Sequence, residues 1–537
     1  MSFLRPTKGR VTVRVVPSSR ASLSLQLSLY RRQKARINRS VIGSSPVFRR
    51  YEARYRRATK SYTRVSTLAE VRKAACAADI VYVGDYHTLK LAQTGYLDLV
   101  REAVKTNRRV VLALELVEGR HQHTVDEFLL GKLSETEFLG AIGHPYRGAF
   151  DIWPNFAPIL ELAREKGLMV LAIDKRSRSK SSLDERDIFA AQQIAAVSRA
   201  EDRPLVLVLM GQFHITPAHL PARTREALSD VQREHLVVYQ NAEGVYWRLA
   251  EKGLADTTEA VEVRPGEMAI VSASPVVCQQ SFLDYLEAEL GDSPLDDSAA
   301  ASTFRDLARA LGRLVNVDVN KALRDVEVAT AGDLTLIERL SKRGHFRRGE
   351  LDMLRRHVLS RESAYIPRAR MAYLASLSLN HAAEEATHFV RHVAVGEAME
   401  KPRKRSDAFW ARCLEEALGF FGSRLLNPKR RCTQLAEWSA MFAGGSPAQR
   451  DVSAFVLALK AAEAEGAAAS RRLIPMADDH LFHAVSHALG YLLGEALARA
   501  FEDGRLTRKE MRALFVDPFP TPADRYFTLA SRLFSMA

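Results

Sequence analysis

Ile80-Val81-Tyr82-Val83-Gly84-Asp85-Tyr86-His87 is the stretch whose reading decides the fold. Four residues that favour extended backbone run into a glycine, an acid, an aromatic and a histidine. A buried parallel strand delivers polar side chains in this way to the crevice at its carboxyl end. Three further runs have the same form: Arg109 to Glu118, Leu168 to Asp174, and Pro204 to His214. Their unbroken Val, Ile and Leu mark strands covered on both faces. Helical segments separate them, which implies right-handed βαβ units and an α/β domain with a parallel sheet. Four strand ends then converge on one site holding His87, His214 and several carboxylates.

Working outward, 537 residues with 47% hydrophobic content exceed one ordinary core. The expected organisation is a basic, partly disordered arm (1–61), the α/β domain (62–290), a linker of turn-forming and small residues (291–303) and an all-helical domain (304–537). No apolar run approaches the ~18 residues that span a bilayer, and no signal-peptide h-region or lipobox is seen, so a cytoplasmic location is expected. Cys76, Cys278, Cys413 and Cys432 lie far apart, which excludes a disulfide framework and fits a reducing compartment. The net charge of +14 belongs to the arm: residues 1–60 hold 16 Lys and Arg against the single acid Glu52. Its bland reading is a solvated extension; its functional reading is an anionic membrane surface or nucleic acid as partner. Within it, Ser22 to Leu29 alternates with period two like a strand. Further along, the sequence predicts a helix capped by Ser66, helices over 121–140 (broken at Gly131), 153–166 (stopped by Gly167) and 184–199, a strand at 235–240, and a β-rich pair at 244–250 and 260–273.

Residues 80–221 resemble the ChaN family of haem-binding uptake proteins, which sits in a wider group with the EreA erythromycin esterases and the TraB/TIKI proteins. Gly84-Asp85-Tyr86-His87 is similar to the group's Gly-Glu-x-His motif, and Gln93 matches the glutamine on the following helix. Glu115 stands at the strand-end glutamate, Gln122 and Gly131 fit the next helix, and Trp153 and Pro158 fit the Trp…Pro helix. Arg186-Asp187 matches an Arg-Asp helix start, and Gly211-Gln212-Phe213-His214 a Gly-x-x-His, followed by Pro221. Asp85 departs from the motif by one methylene. Family members are commonly exported lipoproteins, which the missing lipobox does not match.

The resemblance implies a haem- or iron-handling binding protein, with haem or another small molecule as partner. Asp85, Tyr86, His87, Glu115, Arg186 and His214 are the candidate cofactor-binding residues, Arg186 and the basic loop 175–180 facing propionates or another anion. Tyr96 and Tyr146 are further tyrosines available to iron. In the alternative hydrolase reading, His87, Glu115 and His214 do the chemistry, with or without a transition metal (Fe, Zn or Mn) on His87 and His214. A third reading, of another class, is a non-catalytic interaction protein. An oligomer is compatible with all three.

The helical half holds a second constellation. His381, Glu385, His388 and His392 recur at helical spacing and project within about a 60° arc. His480, His483 and His487 form another such stripe. Glu385-x-x-His388 has the spacing of carboxylate-bridged di-metal bundles, but the second stripe supplies no matching acid. The expectation is a histidine-rich zinc or iron site, or haem between the helices; the bland alternative is semi-buried histidines among core alanines.

Overall fold

The computed structural model describes residues 17–40, 45–143, 152–175, 182–289, 299–330, 333, 335–342, 346, 348–359, 363–375, 378–474 and 478–534. The chain divides into two compact units. One comprises Tyr30–Ala250 and Leu254–Pro294, the other Met1–Leu29, Glu251–Gly253 and Leu295–Ala537.

The first unit is built on an eight-stranded sheet of β1 (Arg64–Ser66), β2 (Ile80–Asp85), β3 (Val110–Glu118), β4 (Met169–Asp174), β5 (Leu205–Gly211), β6 (His235–Gln240), β7 (Ala260–Arg264) and β8 (Glu267–Ile270). Their order across the sheet is β1-β7-β8-β6-β2-β5-β3-β4. The six strands from β8 to β4 are parallel, and β7 and β1 add an antiparallel edge. The central strands are buried on both faces, as their unbroken apolar runs require. Val81, Val83, Leu112, Leu114, Leu207 and Leu209 meet the helices Lys90–Ala103 and Trp153–Lys166 on one side. Ile80, Tyr82, Val111, Ala113, Val206 and Val208 meet Ala190, Ala191 and Ile194 of the helix Ser182–Ser198 on the other.

Three local expectations are corrected. Ser22 to Leu29 is not a strand but lies inside the helix Pro17–Ser40. Its buried residues, Ser22, Leu25, Gln26 and Leu29, follow a 3.6-residue period, and the serine alternation happens to coincide with it. With the helix Pro46–Ala58, which buries Tyr51 and Tyr55, it makes up most of the described part of an arm expected to be partly disordered. Residues 244–250 belong to the helix Glu243–Glu251, because Val245, Tyr246 and Leu249 share one helical face. The helix after β1 is capped by Thr67, which accepts from the Glu70 amide, while Ser66 ends the strand. Of the expected linker, 291–298 lies outside the described residues and the remainder opens the helix Ala299–Val315.

The second unit is helical with one addition, a three-stranded sheet of β9 (Glu327–Thr330), β10 (Ala364–Ile366) and β11 (Met371–Leu374) in the order β10-β11-β9. Its core is the packing of the helices Leu379–Val395, Arg405–Leu426 and Asp479–Glu502. Two of them approach closely because Gly490 and Gly494 present no side chain. A Cβ at Gly494 would stand 2.6 Å from the Ala417 carbonyl oxygen. Arg391, fully buried, donates to the carbonyls of Leu514 (3.1 Å) and Phe515 (3.3 Å) at the end of the helix Arg508–Val516, and its guanidinium lies over the Phe519 ring. Burial pulls its pKa down to about 10. Among the described residues no helix is long and apolar enough to cross a membrane.

The helix contact yields a test. Gly494→Ala must push backbone against backbone, so it is expected to destabilise the helical unit by about 1–3 kcal/mol, read as a lower midpoint in urea unfolding with the α/β unit's transition unchanged.

Candidate functional site

The register of the parallel strands assembles the site. β2 and β3 both pair with β5, Val83 and Leu114 standing opposite Leu209, so Gly84, Met210 and Glu115 stand level across the three strands. Asp85, the last residue of β2, faces Gly211, the last of β5. The crevice where polar groups collect therefore lies at the carboxyl ends of β2, β3 and β5, as in other open parallel sheets.

Glu115 is the centre of this cluster. Its carboxylate accepts the Gly211 amide at 2.5 Å, is held by the Arg186 guanidinium, and has His87 Nε2 at 3.8 Å. Arg186 also donates to Asp174 at 2.8 Å. Burial alone would raise the Glu115 pKa, but Arg186, His87 and His214 outweigh it and hold the group at about 2. A Cβ at Gly211 would stand 3.3 Å from the Glu115 carboxylate, a tight contact, and 3.6 Å from the His214 ring, an ordinary one.

His87 turns Nδ1 to Asp85 Oδ2 at 2.5 Å, and Asp85 is in turn held by the Gln93 amide. Burial lowers the His87 pKa, yet Asp85 and then Glu115 raise it further, to about 9. The shorter Asp85 thus serves as the orienting partner of the histidine. His214 is buried, with Nδ1 2.6 Å from Asp187 Oδ1, and Asp187 also accepts from the Tyr51 hydroxyl at 2.7 Å. Tyr51 stacks on His219, their ring centroids 3.5 Å apart. Burial, then Arg54, pulls the His219 pKa down to about 4, so this second histidine is neutral.

The structure brings Asp85, His87, Glu115 and Arg186 into one connected network, with His214 beside it, paired with Asp187 and acting on Glu115 through charge. Tyr86 does not join it: it packs against Leu89, Val277 and Cys278. Tyr96 spends its hydroxyl on the Leu207 carbonyl at 2.8 Å. Arg186, expected to face propionates, is committed to Glu115 and Asp174. Tyr146 and residues 176–180 of the basic loop lie outside the described residues. Asp187, Tyr51 and His219 were not among the candidate residues; the Arg186-Asp187 pair and the two tyrosines spaced i, i+4 in the arm were the available signals.

In the helical unit, His381, Glu385, His388, His480, His483 and His487 line one cavity of about 1020 Å³. His392 is engaged elsewhere, with Tyr365 at 2.8 Å and Glu400 at 3.1 Å. The acid missing from the second stripe comes from a third helix: Glu416 stands 3.8 Å from His487 and 3.1 Å from Arg412. Among the described residues no three His, Cys, Asp or Glu side chains converge closely enough to hold a metal ion. The nine residues expected as metal ligands therefore form no preassembled metal site in either unit.

The opposite shifts at the α/β site set its pH behaviour. His87 is raised in the folded chain, so its stabilising contribution is complete below about pH 6.5 and is lost as pH rises towards 9. Glu115 is depressed, so its contribution is present above about pH 4.5 and is lost as pH falls towards 2. Urea unfolding of His87→Gln should therefore lack the alkaline decline of wild type while keeping the acid one; an unchanged alkaline limb would contradict the His87 ion pairs.

None of the curated proteins matches this chain. A solved structure described as cofacial haem binding to ChaN of Campylobacter jejuni is 12% identical, with 32% of this chain and 85% of that chain covered and a TM-score of 0.26. The family match ends before His214. Residues 71–188, which carry β2, β3, β4, Asp85, His87, Glu115 and Arg186, match the family described as haem-binding uptake, Tiki superfamily, ChaN.

Proposed function

We propose that the α/β unit binds haem at the ends of β2, β3 and β5, with His87 as the side chain that meets the iron. The observation that carries this reading is the difference in exposure within the network: the His87 side chain is 38% exposed, against 2% for Asp85 and 6% for Glu115. His87 is the accessible member of the set, its ring braced by Asp85 at Nδ1 and by Glu115 3.8 Å from Nε2. Such a carboxylate behind an imidazole fixes the tautomer and raises ligand basicity, as at metal-bound histidines generally. The family match over residues 71–188 supports haem as the ligand. The donor set fits: one imidazole can ligate iron without three converging side chains, and its proton is displaced on binding as at other metal sites. Bound haem would supply the redox and ligand-binding chemistry of its iron, while this chain's residues hold and orient it.

A hydrolase reading uses the same residues less well. At neutral pH a histidine held at about 9 carries its proton, so His87 is a proton donor there and not a base that can take one from water.

Titration of the purified full chain with haemin tests the proposal. Wild type should develop a shifted, saturable Soret band, His87→Ala should lose it, and His388→Ala/His483→Ala should keep it. Absence of the band in wild type, or its loss only in the helical pair, would overturn the assignment.

A further inference from the structure

The cavity of the helical unit is charged unevenly. Its wall holds Glu384, Glu385 and Glu416 from the helices Leu379–Val395 and Arg405–Leu426. Glu384 is neutralised by Arg430 at 2.8 Å and Glu416 by Arg412 at 3.1 Å. Glu385 is only 6% exposed; it accepts a hydrogen bond from the Tyr365 backbone amide, and among the described residues no cationic side chain forms an ion pair with it. Glu415, half-buried in the wall, forms no ion pair among the described residues, although its charge acts on Arg391. Burial, then the neighbouring Glu384 and Glu416, push the Glu385 pKa well up, and a cation entering the cavity would let the carboxylate ionise.

The rest of the lining selects among cations. The space, about 1020 Å³, far exceeds a single ion, and no three donors converge to coordinate one. Tyr365 and Trp438 bring aromatic rings to the lining, and such rings attract ammonium groups, whereas the Tyr491 ring already carries the Arg430 guanidinium, 5.0 Å from its centroid. His388, His483 and His487 add imidazole nitrogens that accept N–H bonds when neutral. The seven Asp and Glu of the lining outnumber its four arginines, which disfavours an anionic ligand. One buried and one half-buried carboxylate, both outside any ion pair among the described residues, match a ligand with at least two amines.

We propose that this cavity binds an organic polyamine, with Glu385 as the counter-charge of one ammonium group and Glu415 of a second. This site is independent of the haem reading, since it lies wholly within the helical unit and uses none of the strand-end residues.

Isothermal titration of the full chain with spermidine, at about 0.15 M salt to screen surface charge, tests it. Wild type should bind saturably. Glu385→Gln should weaken binding by at least about tenfold, the loss of one charge-assisted contact, while its melting temperature without spermidine stays close to wild type, because an amide replaces the uncharged acid and its oxygen still accepts the Tyr365 amide. Glu415→Gln should weaken spermidine more than the monoamine butylamine. His87→Ala/His214→Ala should bind spermidine as wild type does. No saturable binding by wild type, equal affinity in Glu385→Gln, or binding of Zn²⁺ in place of spermidine would overturn the proposal.

Discussion

The buried carboxylate of Glu115 is the constraint on which the strand-end site depends. A charge at the end of β3, inside a sheet covered on both faces, is tolerated only with partners, and each partner is supplied by a different element. Arg186 comes from the helix Ser182–Ser198, the Gly211 amide from β5, and His87 from just beyond β2. Removing any of them leaves the others facing an under-compensated charge. The same logic extends outward, since Arg186 also satisfies Asp174, and Asp85 holds His87 in place. A second buried acid, Asp187, binds His214 and Tyr51, so the arm helix Pro46–Ala58 is part of the site's support.

The two units treat buried acid differently. At the strand ends Glu115 and Asp187 each have a cationic or hydrogen-bonding partner, and the exposed member is a histidine. In the helical cavity Glu384 and Glu416 are matched by arginines and Glu385 is not. A saturated network is suited to presenting one oriented donor to a flat ligand. An incompletely matched cavity is suited to drawing a charge inside.

Much of the α/β site could be read directly. A continuous apolar run ending in Gly-Asp-Tyr-His admits few structures, and parallel pairing of such runs brings their ends together. His87, Glu115 and His214 follow from that alone. Tyr86 was misplaced because residues just past a strand end leave the sheet's alternation, and its ring went to Leu89 and Cys278. Tyr51 was invisible as a site residue because the arm's charge hid a helix whose buried face carries tyrosine rather than aliphatic residues. In the helical half, the spacing put six side chains on one cavity, yet Glu416 could not be found from the histidine stripes, since it belongs to a third helix.

What the sequence by itself determined was therefore local and periodic: which runs are buried strands, which residues end them, and which histidines share a helical face. These depend on backbone geometry and solvent alone, and need no knowledge of partners. What only the tertiary structure decided was pairing. The 2.5 Å contact of His87 with Asp85, the capture of Arg186 by Glu115 and Asp174, and the absence of an ion pair at Glu385 among the described residues arise between segments far apart in the chain or from competition among several nearby charges. Electrostatic energies depend on distance and burial, and neither exists until the strands are in register and the helices have packed.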